Sequence, residues 1–312
     1  MRPVRALANW SGYFLLEAMT RLFSRLPIRA ASAVGGAVGL IGYHVAAGER
    51  RRAVQNLESA FGNAFSPAER LGIAKKMFRN FGRDAAEAYA ATRLPPGGLE
   101  SLVDNASEFI ENMRSALSEG KGLIAMTGHL GNWELVGSLG ARALPVSVVA
   151  NRFHFEPFNR VTERLRTGGG MKTIYLSESP REIVRALQRN EVVGILPDQD
   201  IRKIPGTFVN FFGRPAWTPI GPVLIAKLSG APMVPYFLVR AGRKYHVEIG
   251  ERVPLRFTGD RVRDLRDNTQ LWSDAFEKVI RQYPDQWGWN HLRWKTTPAD
   301  VPEAFRRNAG LD

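Results

Sequence analysis

Four short apolar runs constrain this chain more than anything else in it. They fall at residues 122–126, 146–150, 173–176 and 192–196. Each is continuous rather than alternating, which marks a strand buried on both faces. Helical spacing follows the first three: Leu135, Val136, Leu139 and Ala143 after the first, a helix at 157–166 after the second, and a capping-box helix opening at 179–182 after the third. Strand–helix–strand succession of this length predicts an α/β fold, with a mostly parallel central sheet flanked by helices on both faces. Further strands are expected at 233–239 and 245–249, and further helices at 219–229 and 269–283. The stretch from Pro197 to Trp217 reads as a long loop. Its aromatic cluster of Phe208, Phe211, Phe212 and Trp217 is too polar-flanked for a core strand, and suits either a tunnel wall or a cover over the sheet edge.

Residues 1–48 have a different character, and two domains are expected: an N-terminal helical membrane-association region at 1–48 and an α/β domain at 49–312. Residues 30–47 carry no Asp, Glu, Lys or Arg, at the lower limit for a spanning helix. Gly35-x-x-x-Gly39 within them is a small-residue face suited to close helix packing. Arginines 21, 25 and 29 precede the stretch and Arg50, Arg51 and Arg52 follow it, while Trp10, Tyr13 and Phe14 lie upstream. Basic collars and interfacial aromatics favour a membrane-associated region over a cleaved signal peptide. A spanning helix and a glycine-rich packed pair both fit. Residues 49–120 read as helical, with a capping box at Ser66-Pro67-Ala68-Glu69 and a breaker at Pro95-Pro96-Gly97-Gly98.

The first apolar run ends in Thr127-Gly128-His129-Leu130-Gly131-Asn132-Trp133-Glu134, a strand-to-helix turn. Open α/β sheets bind ligands outside the carboxyl ends of their strands. The glycines would let the backbone pass close to a substrate. Histidine accepts a proton near neutral pH, and a nearby acid can hold the ring in one tautomer. Five residues span about 500° of helix, so His129 is expected on the turn with Glu134 reaching back to it. The fourth run leads into Asp198-Gln199-Asp200 at the same sheet edge, where the two acids either cap a turn or bind a polyhydroxyl acceptor. No companion ligands stand at metal spacing, and no metal or cofactor is expected. Residues 167–172 are glycine-rich but lack the phosphate-loop pattern, which favours a plain turn. The chain has no cysteine and no Gly-x-Ser-x-Gly elbow, which excludes disulfides, thiolate chemistry and that type of serine nucleophile.

Three separated stretches resemble the bacterial lipid A (lauroyl/myristoyl) acyltransferase family, within the wider lysophospholipid acyltransferase group. They are residues 129–134, residues 198–219 and residues 284–295; the basic 52–61 piece is similar as well. The resemblance implies transfer of a fatty acyl group from acyl carrier protein to a hydroxyl of a lipid A precursor or similar membrane glycolipid; because a thioester is already activated and the chain has no cysteine or nucleophile elbow, no covalent intermediate is needed. It places the work at the cytoplasmic face of the inner membrane. His129 would be the general base and Glu134 its orienting acid. Backbone N–H groups around Gly131 and Asn132, or Arg152 after the second strand, would stabilise the carbonyl oxygen. Asp198, Gln199 and Asp200 would face the acceptor. The net charge of +13 suits an acidic carrier protein docking near Arg202 and Lys203, and anionic lipid meeting Arg50 to Arg52. Two alternatives stay open: a lysophospholipid or phosphatidylinositol-mannoside acyltransferase using acyl-CoA, and a non-enzymatic basic protein. Nucleic acid is disfavoured, because the basic residues are spread along the chain instead of clustering on one element.

Overall fold

A computed structural model describes residues 3–177 and 180–311. Strands β1 (Leu123–Met126), β2 (Val146–Ala150), β3 (Lys172–Tyr175) and β4 (Val192–Ile195) fall on the four apolar runs. Strands β5 (Gly206–Phe211) and β6 (Arg214–Pro219) form a separate hairpin. Strands β7 (Met233–Ala241) and β8 (Lys244–Ile249) complete a six-stranded sheet in the order β3-β2-β4-β1-β7-β8. All its pairings are parallel except β7 with β8.

The helices are α1 (Pro3–Phe23), α2 (Ile28–Val45), α3 (Ala47–Phe61), α4 (Pro67–Ala91), α5 (Ala106–Leu117), α6 (Trp133–Ala141), α7 (Glu156–Gly168), α8 (Pro180–Gln188), α9 (Gly221–Ser229), α10 (Arg261–Gln282) and α11 (Glu303–Ala309). Alternate strand residues feed opposite cores. Leu123, Val192 and Leu238 pack with α5 and α6, whereas Ile124, Val193 and Phe237 pack with α8, α9 and α10. That two-sided burial is why these strands are continuously apolar. The Ser66–Glu69 capping box forms, with Ser66 Oγ accepting from the Glu69 amide and Glu69 accepting from the Ser66 amide. The one expected at 179–182 lies partly outside the described residues.

Residues 197–205 are loop as expected, but from Gly206 on the expected loop is instead the β5–β6 hairpin, with Phe211, Phe212 and Trp217 buried. Phe212 and Gly213 form its two-residue turn with φ of 54° and 74°. Positive φ at both positions is the type I′ turn that matches strand twist. Phenylalanine is a costly residue there, so the sequence carries no turn signal. The hairpin is pinned from the far end of the chain: buried Arg293 donates to Trp217 O (2.8 Å) and Thr218 Oγ1 (2.7 Å) and stacks over Phe211.

The glycines of α2 pack against α4. An added Cβ at Gly35 would lie 2.3 Å from Gly82 O, and one at Gly39 would lie 2.2 Å from Phe78 O. The opposite flank of α2 exposes Val34, Val38, Ile41 and Val45 as one stripe, and α1 exposes Trp10, Phe14, Leu15 and Leu22. Trp10 packs edge-on against Phe155, beside exposed Phe153, in the segment leaving β2 at the carboxyl edge of the sheet. Among the described residues no single helix is long and apolar enough to cross a membrane; α2 and the helical stretch after it bend by 89° at their junction.

Candidate active site

The parallel register of β1 with β4 builds the centre of the site. Met126 lies opposite Ile195, and three residues beyond each strand His129 meets Asp198. Asp198 Oδ1 is 2.8 Å from His129 Nδ1, and Oδ2 accepts from the His129 backbone N–H (2.8 Å) and from Trp287 Nε1 (2.9 Å). Burial to 1% exposure would raise the Asp198 carboxyl. The charge and hydrogen bond of His129, the nearby His291 and the Trp287 indole outweigh burial and hold it well below the usual carboxylate range. An ionised carboxylate at Nδ1 fixes the proton there and leaves Nε2 with its lone pair outward. Gln199 Nε2 lies 3.2 Å from that nitrogen and 3.4 Å from His291 Nε2, so its amide hydrogens can cap both rings. Trp133 and His291 flank the His129 ring at 5.0 and 4.8 Å between centroids. Burial, reinforced by His129, pushes the His291 imidazole down to about 4, so it is neutral at pH 7.

Glu134 does not orient His129. With α6 beginning at Trp133, the Glu134 side chain turns toward α7, and its carboxylate receives Arg166 through Nη2 (2.9 Å) and Nε (3.3 Å). Burial would lower the Arg166 guanidinium, but the Glu134 charge outweighs it and raises it.

The glycines make room for the protein itself. A Cβ at Gly131 (φ 59°) would lie 2.1 Å from Leu238 O, and one at Gly128 would lie 2.9 Å from Asp198 Oδ2. The backbone donors expected to hold an oxyanion are occupied, Gly131 N–H by Gln286 O and Asn132 N–H by Leu238 O, each at 2.9 Å. Asn132 is buried as the cap of α6, accepting from Leu135 N–H and donating to Asp84 O. Arg152 lies past β2 at the same sheet edge, but its guanidinium stacks 4.1 Å over Tyr175 and approaches Glu156 (3.6 Å). Asp200 faces the chain, not an acceptor: both its oxygens receive Thr296, from N–H at 2.8 Å and Oγ1 at 2.6 Å. Of the basic residues expected at partner surfaces, Arg202 lies near Asp300 (3.8 Å), while Arg50 and Arg52 donate to backbone carbonyls.

Two further features escaped the sequence reading. Residues 286–288 form a strap across the turn: Leu130 bridges Trp287, and Gly288 N–H donates to His129 O (3.0 Å). Beneath the turn, Arg240 of β7 binds Asp84 and Glu87 of α4 and the Tyr245 hydroxyl in a buried ionic cluster. The first could be suspected from the tryptophan-dense 284–295 segment; the second has no local signal.

Beside the turn, a narrow apolar slot of about 40 Å³ runs along the α5/α6 face of the sheet. It extends from Trp133, Thr127 and Leu196 at the carboxyl edge to Met113 and Val146 near the strand starts, with Gly194 leaving room midway. Among the described residues no group of three His, Asp or Glu side chains is placed to hold a metal ion.

Residues 2–296 match the family model described as bacterial lipid A biosynthesis acyltransferase. Over 296 residues the chain is 26% identical to the lipid A biosynthesis palmitoleoyltransferase of Escherichia coli, covering 93% of this chain and 92% of that one. It is 26% identical over 258 residues to the lipid A biosynthesis lauroyltransferase of the same organism, covering 80% of each. It is 25% identical over 232 residues to the phosphatidylinositol mannoside acyltransferase of Mycobacterium tuberculosis, covering 73% of this chain and 71% of that one.

Proposed function

The chain belongs to the bacterial lipid A biosynthesis acyltransferase family and is an O-acyltransferase of glycolipid biosynthesis; from that premise we propose that His129, oriented by Asp198, is the general base that activates the acceptor hydroxyl. The observation that carries this reading is the ionised, three-fold hydrogen-bonded Asp198 on Nδ1, which leaves Nε2 free to take a proton. An acyl thioester is already activated, so positioned acid–base catalysis, worth ~10² to 10⁴ in rate, needs no covalent intermediate. The acceptor hydroxyl displaces the Gln199 amide from Nε2 and gives its proton to that nitrogen. The returned proton then serves the departing thiolate. Glu134 and Arg166 act as a pair that fixes the first turn of α6 against α7.

The donor in this reading is acyl carrier protein, whose acidic surface suits a chain of net charge +13. The acceptor is a lipid A precursor or similar glycolipid. The apolar slot takes the acyl chain. It is too small as it stands for a whole fatty acid, and the pliable side chain of Met113 is the one to shift. The exposed stripe of α2, the aromatics of α1 and Phe153 are the groups that meet the cytoplasmic surface of the inner membrane. The patch around Phe153 and Phe155 leaves the same sheet edge as His129, which supports delivery of a lipid acceptor to the base.

The test is acyl transfer from dodecanoyl–acyl carrier protein to a detergent-dispersed lipid A precursor, with products read by mass spectrometry. His129→Ala is expected to lose at least a hundredfold in kcat. Turnover within threefold of the unsubstituted chain would remove His129 as the base, and transfer from dodecanoyl-CoA alone would replace the carrier protein as donor.

A further inference from the structure

With the Gly131 and Asn132 amides committed to Gln286 and Leu238, the carbonyl oxygen of a bound thioester still needs a donor. Alternation along β1 turns Ala125 and Thr127 toward α5 and α6, where both line the slot. Thr127 is 6% exposed, and its Oγ1 is buried with no hydrogen-bond partner among the described residues. Its backbone N–H is spent on Ile195 O at 3.0 Å, so the hydroxyl is the unspent group. Other buried hydroxyls without partners, on Thr269 and Ser273, belong to α10 on the opposite side of the sheet; Thr127 is the one that lines the slot. It stands at the carboxyl-edge end of the slot with Trp133, whose ring lies 5.0 Å from that of His129. An unsatisfied hydroxyl in an apolar wall costs stability. It becomes favourable once a ligand brings an acceptor atom, and an acyl chain filling this slot brings one, its carbonyl oxygen.

We propose that Thr127 Oγ1 donates to the carbonyl oxygen of the donor thioester, holding the acyl carbon against His129 and stabilising the oxyanion. This rests on the assignment of His129 as base. The acceptor oxygen forms the new C–O bond while its proton passes to His129 Nε2. The carbonyl π pair moves onto the oxygen that Thr127 holds. Collapse of the adduct restores C=O and breaks the C–S bond, and the thiolate leaves with the proton from the imidazolium. Thr127 keeps its own proton throughout.

The probe is dodecanoyl-pantetheine, the portion common to carrier-protein and coenzyme A donors, with a lipid A precursor as acceptor and released thiol as the readout. Thr127→Val keeps the shape and deletes the donor. Its kcat is expected to fall about 10²- to 10³-fold with little change in KM, while its thermal midpoint stays level or rises. Thr127→Ser is expected to restore most of the rate. Thr127→Val turning over within threefold of the unsubstituted chain overturns the proposal, as does a loss that Thr127→Ser fails to restore. If His129→Ala abolishes turnover in the same assay and Thr127→Val does not, only the role of Thr127 falls. If His129→Ala is fully active, the base assignment falls, and this proposal with it.

Discussion

Asp198→Asn tests which acid serves the base, because three donors converge on that carboxylate. Oδ2 receives two of them, the His129 backbone N–H and the Trp287 indole, and Oδ1 receives the Nδ1 proton at 2.8 Å. An asparagine carbonyl placed at the Oδ2 position satisfies two donors and turns its NH2 toward Nδ1. The reverse flip sets NH2 against two donors, so the first arrangement wins. Nδ1 must then accept, the ring takes the Nε2–H tautomer, and the reactive nitrogen has no lone pair to offer. The expected loss in kcat is ~10³ to 10⁴, the upper part of the range for general acid–base catalysis and comparable to the same substitution in the serine-protease triad. All three hydrogen bonds persist but lose the charged acceptor, each falling from about 1.5–3 kcal/mol toward the roughly 0.5–1.5 kcal/mol of a neutral bond. Glu134→Gln is the control: it weakens the Arg166 pair and leaves the Nδ1 proton in place, so the tautomer and the pH dependence of kcat/KM should survive. Steady-state turnover gives the rate, and ¹⁵N NMR of histidine-labelled protein gives the tautomer. Asp198→Asn retaining more than a tenth of kcat, or keeping Nδ1–H, would refute the argument.

His291 supplies a stability prediction. Burial pushes its folded imidazole down to about 4, against about 6.5 for a free histidine. Between those values the unfolded chain binds more protons, so stability is intact above about 6.5 and falls as pH drops toward 4, by at most about 3 kcal/mol. His291→Phe should flatten that slope in urea unfolding at pH 4.5 and 7; an unchanged slope counts against burial as its origin. At the exposed stripe, Ile41→Asp should weaken co-sedimentation with phosphatidylglycerol vesicles by roughly tenfold or more, from about 1.5–3 kcal/mol of lost side-chain burial. The thermal midpoint should hold, since Ile41 is 61% exposed on α2. Equal binding by both proteins would take α2 out of the docking face.

The sheet was legible because each parallel strand declares itself locally as a doubly buried run, as residues 192–195 do, and Ser66 with Glu69 announces α4 in the same local way. The His129 turn was equally visible. What could not be read is where distant pieces meet. The acid five residues along the chain looked like the partner of His129, yet the carboxylate that meets its Nδ1 is sixty-nine residues away, because β4 rather than β2 lies beside β1. Asp200 looked like an acceptor ligand until Thr296 was seen to use both its oxygens. The hairpin was missed for a local reason, since Phe212 holds a positive φ that its identity does not advertise.

The strap from Gln286 to Gly288 complicates any mutational survey of this enzyme. Trp287 is 1% exposed and meets Asp198, and Gln286 holds both Gly131 and Arg240. Asn56 and Asn80 in turn anchor the strap's surroundings to the helical half of the chain. A substitution in any of these lowers turnover if it displaces the strap, while touching no reactant, and an activity screen alone will score scaffolding as chemistry. Separating the two requires asking whether the imidazole still carries its proton on the correct nitrogen, a question about architecture that a rate cannot answer.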